Sequence, residues 1–284
     1  MNQDETIKKI KRLAANIRRD IILTIGNDGR PGHLGGSCSS ADIVAFLYGY
    51  KMRYKPEDPE WEDRDKFIYS KGHAAIAQYA AMAEVGYFDK EELLTVKKLG
   101  TRLQGHPDRA KLPGIEAGTG SLGQGLSVAS GMALAMKLDG KDNKVYCILG
   151  DGEIAEGQIW EAAMSASNYK LDNLVAILDH NKLQTSGNVF EVFDTRPIAD
   201  KWESFGWSVI EIDGHDIEGI IAAFEEADAL AAKEKKPVFI LANTIKGKGV
   251  SFAENVVGFH NGILTPELYD QALEELDAAI AALN

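Results

Sequence analysis

Apolar residues along this chain keep two rhythms. KFIYS (66–70), VYCILG (145–150), LVAILD (174–179), SVIEI (208–212) and PVFILANT (237–244) are short, nearly continuous apolar runs, the pattern of strands buried on both faces. Between them, helical spacing covers 5–26, 40–52, 73–85, 89–98, 156–168, 198–205, 216–233 and 266–283. A glycine-rich loop at 117–125 opens one more helix, running to about 138. Short strands separated by amphipathic helices predict an α/β fold, a doubly wound parallel sheet with helices on both faces. No linker, repeat or low-complexity tract divides the chain, so residues 1–284 are expected to form a single domain. Sheets of this kind bind ligands at the carboxyl ends of their strands, so the segments following each apolar run carry the functional information.

Composition narrows the partners. Forty-three acids against thirty-one bases give a formal charge of −12, and no dense basic cluster marks a nucleic-acid surface. An anionic ligand must be held by local devices, because the overall field repels it. No uncharged apolar run of about eighteen residues exists, so no membrane span is expected. The opening MNQDETIKKIKRLAANIRRD lacks a secretory core and reads as an amphipathic helix, with Arg18 and Arg19 on its solvated face. Cys38 and Cys147 make no disulfide framework. Cys147, inside VYCIL, reads as an inert buried thiol, and a reduced, cytoplasmic setting is expected.

The strongest chemical signal starts where VYCIL ends, at Gly150-Asp151-Gly152-Glu153. The next strand runs into His180-Asn181-Lys182-Leu183. A crossover between parallel strands brings both ends out side by side. Asp151 then offers a carboxylate, Asn181 an amide oxygen and the turn at Leu183 a backbone carbonyl. Magnesium takes six oxygens and usually keeps phosphates and water among them, so these donors suit a Mg²⁺ ion gripping a diphosphate. Gly150 and Gly152 let backbone approach the phosphates. Taken alone, GDG is an ordinary strand-to-helix turn; the Asn at the tip of the neighbouring strand favours the metal.

Four of the six histidines sit in loops of a recognisable kind: Gly32-His33, Gly72-His73, Gly105-His106 and Phe259-His260-Asn261-Gly262. Singly, such a pair is a surface turn or a satisfied histidine. Four in one domain suggest imidazoles projecting into a ligand, where they can donate and accept protons on a polyol. Their separations match no local zinc pattern.

The paired GDG and Asn segments resemble the cofactor signature of thiamine diphosphate enzymes. SKGHAAIAQYA, RLQGHPDRAKLPGIEAGTGSLGQGLSVASGMALA, GDGEIAEGQIWEA and TIKGKG, in that order, resemble transketolase over nearly the whole chain. The resemblance implies the thiamine diphosphate-binding fold, with thiamine diphosphate and Mg²⁺ as cofactors. It implies that His33 and His106 bond the hydroxyls and carbonyl of a ketose, that His73 lies beside the diphosphate, and that His260 contacts diphosphate and substrate and moves protons. Asp151, Asn181 and Leu183 would hold the metal, with Gly152 and Glu153 in the same cofactor-binding turn. Gly120, Ser121 and Leu122 match the support of the aminopyrimidine, and Glu156 a carboxylate at a subunit interface near the cofactor. Lys246 reads either as a solvated loop lysine or as a phosphate contact. Thr185 replaces a commoner apolar residue.

Catalysis in this class also needs a glutamate from a second α/β domain, and the alternating elements here suffice for one sheet. The initial Met and terminal helix favour a dedicated subunit. The expected protein is thus half of a split transketolase, paired as two copies of each chain with a C-terminal, pyrimidine-domain subunit. Together they would move a two-carbon ketol unit between sugar phosphates. The terminal phosphate is expected to be gripped mainly by the partner, because little basic chemistry is visible in this half. Rival readings are the matching half of a deoxyxylulose phosphate synthase or 2-oxoacid dehydrogenase, a non-catalytic assembly subunit, and a phosphohydrolase built on Asp151 and Glu153.

Overall fold

The computed structural model describes residues 2–283; Met1 and Asn284, the ends of the expected domain, lie outside the described residues. Every apolar run forms a strand: β1 (Lys66–Tyr69), β2 (Val145–Gly150), β3 (Leu174–His180), and, beyond a two-stranded hairpin of β4 (Leu183–Gln184) and β5 (Gly187–Asn188), β6 (Ser208–Asp213) and β7 (Val238–Asn243). The main sheet runs β1-β2-β3-β7-β6, with all pairings parallel. All five carboxyl ends therefore open on one edge.

Alternate residues of each strand feed two cores, as the two-residue side-chain period requires. Phe67, Tyr69, Tyr146, Ile148, Val175, Ile177 and Ile240 pack against α1 (Gln3–Ile25), α3 (Ala41–Phe46), α4 (Ala75–Glu84) and α9 (Ile217–Glu234). Ile68, Cys147, Leu149, Ala176, Leu178 and Phe239 pack against α5 (Gly125–Leu138), α6 (Gly157–Asn168) and α8 (Ile198–Ser204). The fold is the expected α/β doubly wound sheet. The remaining helices are α2 (Leu34–Ser39), α7 (Val189–Val192) and α10 (Pro266–Ala281). Among the described residues no helix is long and apolar enough to cross a membrane.

Three local expectations are corrected. The helix expected over 40–52 is α3 followed by a π-turn at Leu47–Lys51, and that near 89–98 is a 3-10 turn at Lys90–Thr95. Arg18 is not on a solvated face. It is 8% exposed and forms a bidentate pair with buried Asp42 while also donating to the Cys38 carbonyl at 3.3 Å. The stem of a long side chain at the helix surface is compatible with burial when a distant carboxylate meets it, and no local pattern reports that carboxylate.

One buried charge predicts a pH effect. Asp20 on α1 is 4% exposed, and its Oδ2 accepts no hydrogen bond. Burial raises its carboxyl to about 7, with nearby Lys90 opposing and Glu84 reinforcing the shift. The native state thus binds the proton more tightly than the unfolded chain, whose value is near 3.8. Stability therefore falls as pH rises from about 4 to about 7 and is flat above. Asp20→Asn should melt above wild type at pH 8, by about 2–4 °C for each kcal/mol relieved. The gap should close towards pH 4. A constant difference across this range in a melting series would refute it.

Candidate functional site

The strand ends surround a cavity of about 490 Å³. It is lined by His33, His73, Gly120, Leu122, Asp151, Gly152, Glu153, Glu156, Asn181, Leu183, Lys246 and His260, by Gln184, which the sequence suggested as a packing or solvent residue, and by residues not singled out there, chiefly Lys71, Gly36 and Phe193. Ser121 is exposed beside it. His106 is also outside the lining and packs against Gly120, where a Cβ would stand 2.9 Å from its ring.

The floor is built by the register of β2 on β3. Gly150 pairs with Asp179, so the residues after each strand leave the sheet together. The Asp151 carboxylate accepts the backbone N–H of Gly152 at 2.8 Å and that of Lys182 across the gap. Asn181 donates through Nδ2 to the Asp179 carboxylate at 3.1 Å, which turns its amide oxygen the other way, towards the Leu183 N–H at 3.2 Å. The Leu183 carbonyl faces the Lys246 ammonium at 2.9 Å.

These three donors are all oxygens, one anionic and two neutral, and the Leu183 carbonyl already faces a cation. They fit a hard divalent ion that completes its shell with ligand oxygens. Among the described residues no group of three or more His, Cys, Asp or Glu side chains is placed to hold a metal ion by itself. The buried His180 ring packs edge-on against Phe190, with Nδ1 3.5 Å from the Asp151 carboxylate.

Beneath the floor lies a charge network that no sequence motif announces. Asp179, with no exposed surface, accepts from Lys71, Ser39, Thr244 and Asn181. Burial alone would raise its carboxyl, but the Lys71 ammonium and the Ser39 and Thr244 hydroxyls together hold the group below the usual aspartate range. The available signal was an acid closing the apolar run LVAILD. Glu153 is likewise internal. Its oxygens accept from Ser70, from Gly123 N–H at 2.9 Å and from Gly150 N–H at 3.0 Å, tying the glycine-rich loop to the GDG turn. Burial raises its carboxyl despite those bonds. Gly72 allows the β1 tip to meet the same loop, since a Cβ there would lie 2.7 Å from the Gly120 backbone nitrogen. Gly120 itself has φ +141°, a conformation that excludes side chains.

Three imidazoles form one wall. His33 and His73 have ring centroids 5.1 Å apart, His73 and His260 5.0 Å, and His33 and His260 5.7 Å. Burial first, then neighbouring cations and imidazoles, depress them to about 4 for His33, about 2 for His73 and about 3 for His260. At neutral pH they are uncharged, each offering one donor and one acceptor nitrogen.

Lys246 is not a solvated loop lysine. It is 1% exposed, and burial lowers its amine to about 8, so it remains largely cationic at pH 7. Its ammonium donates to His260 Nδ1 at 3.1 Å, which leaves the His260 proton on Nε2, facing Thr185 Oγ1 at 3.1 Å. No carboxylate pairs with it among the described residues. A buried cation whose partners are a carbonyl and a neutral ring is set to receive an anion.

Comparison with known proteins identifies the family. The family profile described as transketolase, thiamine diphosphate binding domain, matches residues 10–276. The chain is 47% identical over 264 residues to the 6-deoxy-6-sulfo-D-fructose transketolase subunit SqwG of Clostridium sp. (strain MSTE9), covering 93% of this chain and 94% of that one. It is 42% identical over 272 residues to an apulose-4-phosphate transketolase subunit of Phocaeicola vulgatus, covering 96% and 95%. The crystal structure of transketolase from Campylobacter jejuni superposes with a TM-score of 0.85 at 31% identity, covering 100% of this chain and 46% of that one. The chain thus spans less than half the length of the solved transketolases it matches. On sequence, fold and site together, the chain belongs to the transketolase family, as its N-terminal, thiamine diphosphate-binding section.

Proposed function

We propose that this chain is the diphosphate-binding subunit of a split transketolase, moving a ketol unit from a ketose to an aldose when joined to a pyrimidine-domain subunit, two copies of each. The observation that carries the reading is the cavity floor. Asp151, Asn181 and Leu183 line it together with Lys246, whose ammonium meets the Leu183 carbonyl and has no carboxylate partner among the described residues, a setting for a Mg²⁺–diphosphate group. Relatives of nearly equal length that are named as subunits support the division of labour.

In this reading Asp151, Asn181 and Leu183 hold Mg²⁺, and Lys246 offsets the remaining diphosphate charge. Thiamine diphosphate, when bound, supplies the nucleophilic carbon that carries the two-carbon unit between sugars. The uncharged His33, His73 and His260 orient sugar hydroxyls and move protons, and His260 donates from Nε2, because Lys246 occupies its Nδ1. His106 meets the sugar further out. Gly120, Ser121 and Leu122 support the pyrimidine end. Glu156, exposed on the lip, and Phe193, 62% exposed although it lines the cavity, mark the side that the partner covers. Names of relatives include a 6-sulfo sugar and a 4-phosphate sugar. We take the substrates here to share that feature, a terminal tetrahedral oxyanion.

The test is an assay of ketol transfer by the purified chain, with Mg²⁺ and thiamine diphosphate, before and after addition of a pyrimidine-domain partner. Activity should depend on the partner. Robust transfer by the chain alone would refute the split-subunit reading.

A further inference from the structure

The loop that carries Lys246 is gripped from two sides. β7 ends at Asn243, and the next two residues are tied to different parts of the sheet edge. The Thr244 hydroxyl donates to Asp179 on β3, and the Ile245 N–H donates to His215 Nε2 at 2.9 Å, in the turn after β6. Register brings these tips together, because Asp213 pairs with Asn243 and the Gly214 N–H donates to the Asn243 carbonyl at 2.8 Å. Gly214 permits the approach, since a Cβ there would stand 2.5 Å from Thr244 Cγ2. Lys246 follows directly, its stem against Gly35, where a Cβ would stand 2.8 Å from Lys246 Cγ.

The other ring nitrogen of His215 faces a carboxylate. Its Nδ1 lies 2.7 Å from Asp42 Oδ2 on α3, and the two side chains are 13% and 9% exposed. Burial would raise the Asp42 carboxyl, but the Arg18 guanidinium and then the His215 ring hold it down at about 2, so it is ionised at neutral pH. A carboxylate only accepts, which puts the imidazole proton on Nδ1. Nε2 is then left as the acceptor that the Ile245 N–H needs. Arg18, Asp42, His215 and Ile245 thus form one chain of donors and acceptors, running from α1 to the residue before Lys246. His215 and Asp42 are both outside the cavity lining, so neither touches the proposed metal donors or a bound sugar.

We propose that His215 is a positioning residue for the cofactor: held as its Nδ1–H tautomer by Asp42, it fixes the Ile245 backbone and with it the Lys246 ammonium at the diphosphate end of the cavity. The inference rests on the proposed function, in which Lys246 offsets diphosphate charge. Without this bond the Ile245 N–H loses its acceptor, and Lys246 gains freedom that binding must then remove.

The test is a double-mutant cycle on thiamine diphosphate affinity, measured by calorimetry in Mg²⁺ on the chain with its pyrimidine-domain partner. Lys246→Ala should weaken binding by roughly 10- to 100-fold, and His215→Ala by roughly 3- to 10-fold. In the Lys246→Ala background, His215→Ala should have almost no further effect, because the group it positions is gone. His215→Gln, whose amide oxygen can accept the Ile245 N–H, should recover most of the affinity. A merely structural role would instead give losses that add in both backgrounds. Additive losses, or an unchanged affinity in either single variant, overturn the inference. A second readout needs no cofactor: nitrogen NMR of the chain carrying labelled histidine should show His215 protonated at Nδ1 and bare at Nε2, with His215→Gln assigning the signals. The opposite tautomer would also overturn it. Failure of the wild-type pair to bind thiamine diphosphate would defeat the proposed function, whereas binding with an additive cycle would defeat the positioning role alone.

Discussion

Asp179→Ala should cost about 3–5 kcal/mol of stability, the usual result of removing one member of a buried ion pair. Lys71, 2% exposed, would keep its charge with only the Gly36 carbonyl, at 2.8 Å, to receive it. Ser39 and Thr244 would lose an acceptor as well. Urea unfolding is the measurement, read as a shift in midpoint at constant slope. Replacing both members, as Asp179→Leu with Lys71→Met, should recover much of the loss, because no orphan charge remains. A double variant as unstable as Asp179→Ala would show that the network does something other than neutralise Lys71. The same substitution frees the Asn181 amide to rotate, so cofactor affinity should fall even in molecules that remain folded.

The strands were legible because a sheet covered on both faces demands unbroken apolar runs, and all five runs became strands. Their spatial order was not, since neighbours such as β3 and β7 are set by packing of helices distant in sequence. The turns from Lys90 to Thr95 and from Leu47 to Lys51 carry helical spacing, and tertiary packing tightens one and widens the other. At the site, nearby glycines marked Asp151 and the three histidines that line the cavity, and the tip of the next apolar run marked Asn181. Lys71, Asp179 and Arg18 escaped because each derives its role from a partner far along the chain: Asp179 for Lys71 and Asp42 for Arg18. A charged residue whose partner is 24 to 108 positions away looks solvated in any local window.

Asp151 carries the larger functional prediction. It is the single carboxylate among the three proposed metal donors, and it also joins the two strand tips through the N–H groups of Gly152 and Lys182. Asp151→Ala removes the anionic donor and leaves an amide and a carbonyl, which are weak ligands for a cation that surrenders water reluctantly. Affinity for thiamine diphosphate in Mg²⁺ should fall by roughly 100-fold or more, of the order of one charge-assisted bond removed together with its metal. Overall stability should change less than in Asp179→Ala, since Asp151 forms no ion pair with a buried lysine among the described residues and acts on Lys246 only at longer range. Calorimetric titration of thiamine diphosphate into the wild-type chain with its partner, once in Mg²⁺ and once in a chelator, addresses the floor of the cavity itself. The account predicts tight, metal-dependent binding that Asp151→Ala weakens by roughly 100-fold or more. Equal affinity with and without Mg²⁺, or an unchanged isotherm for Asp151→Ala, would contradict it.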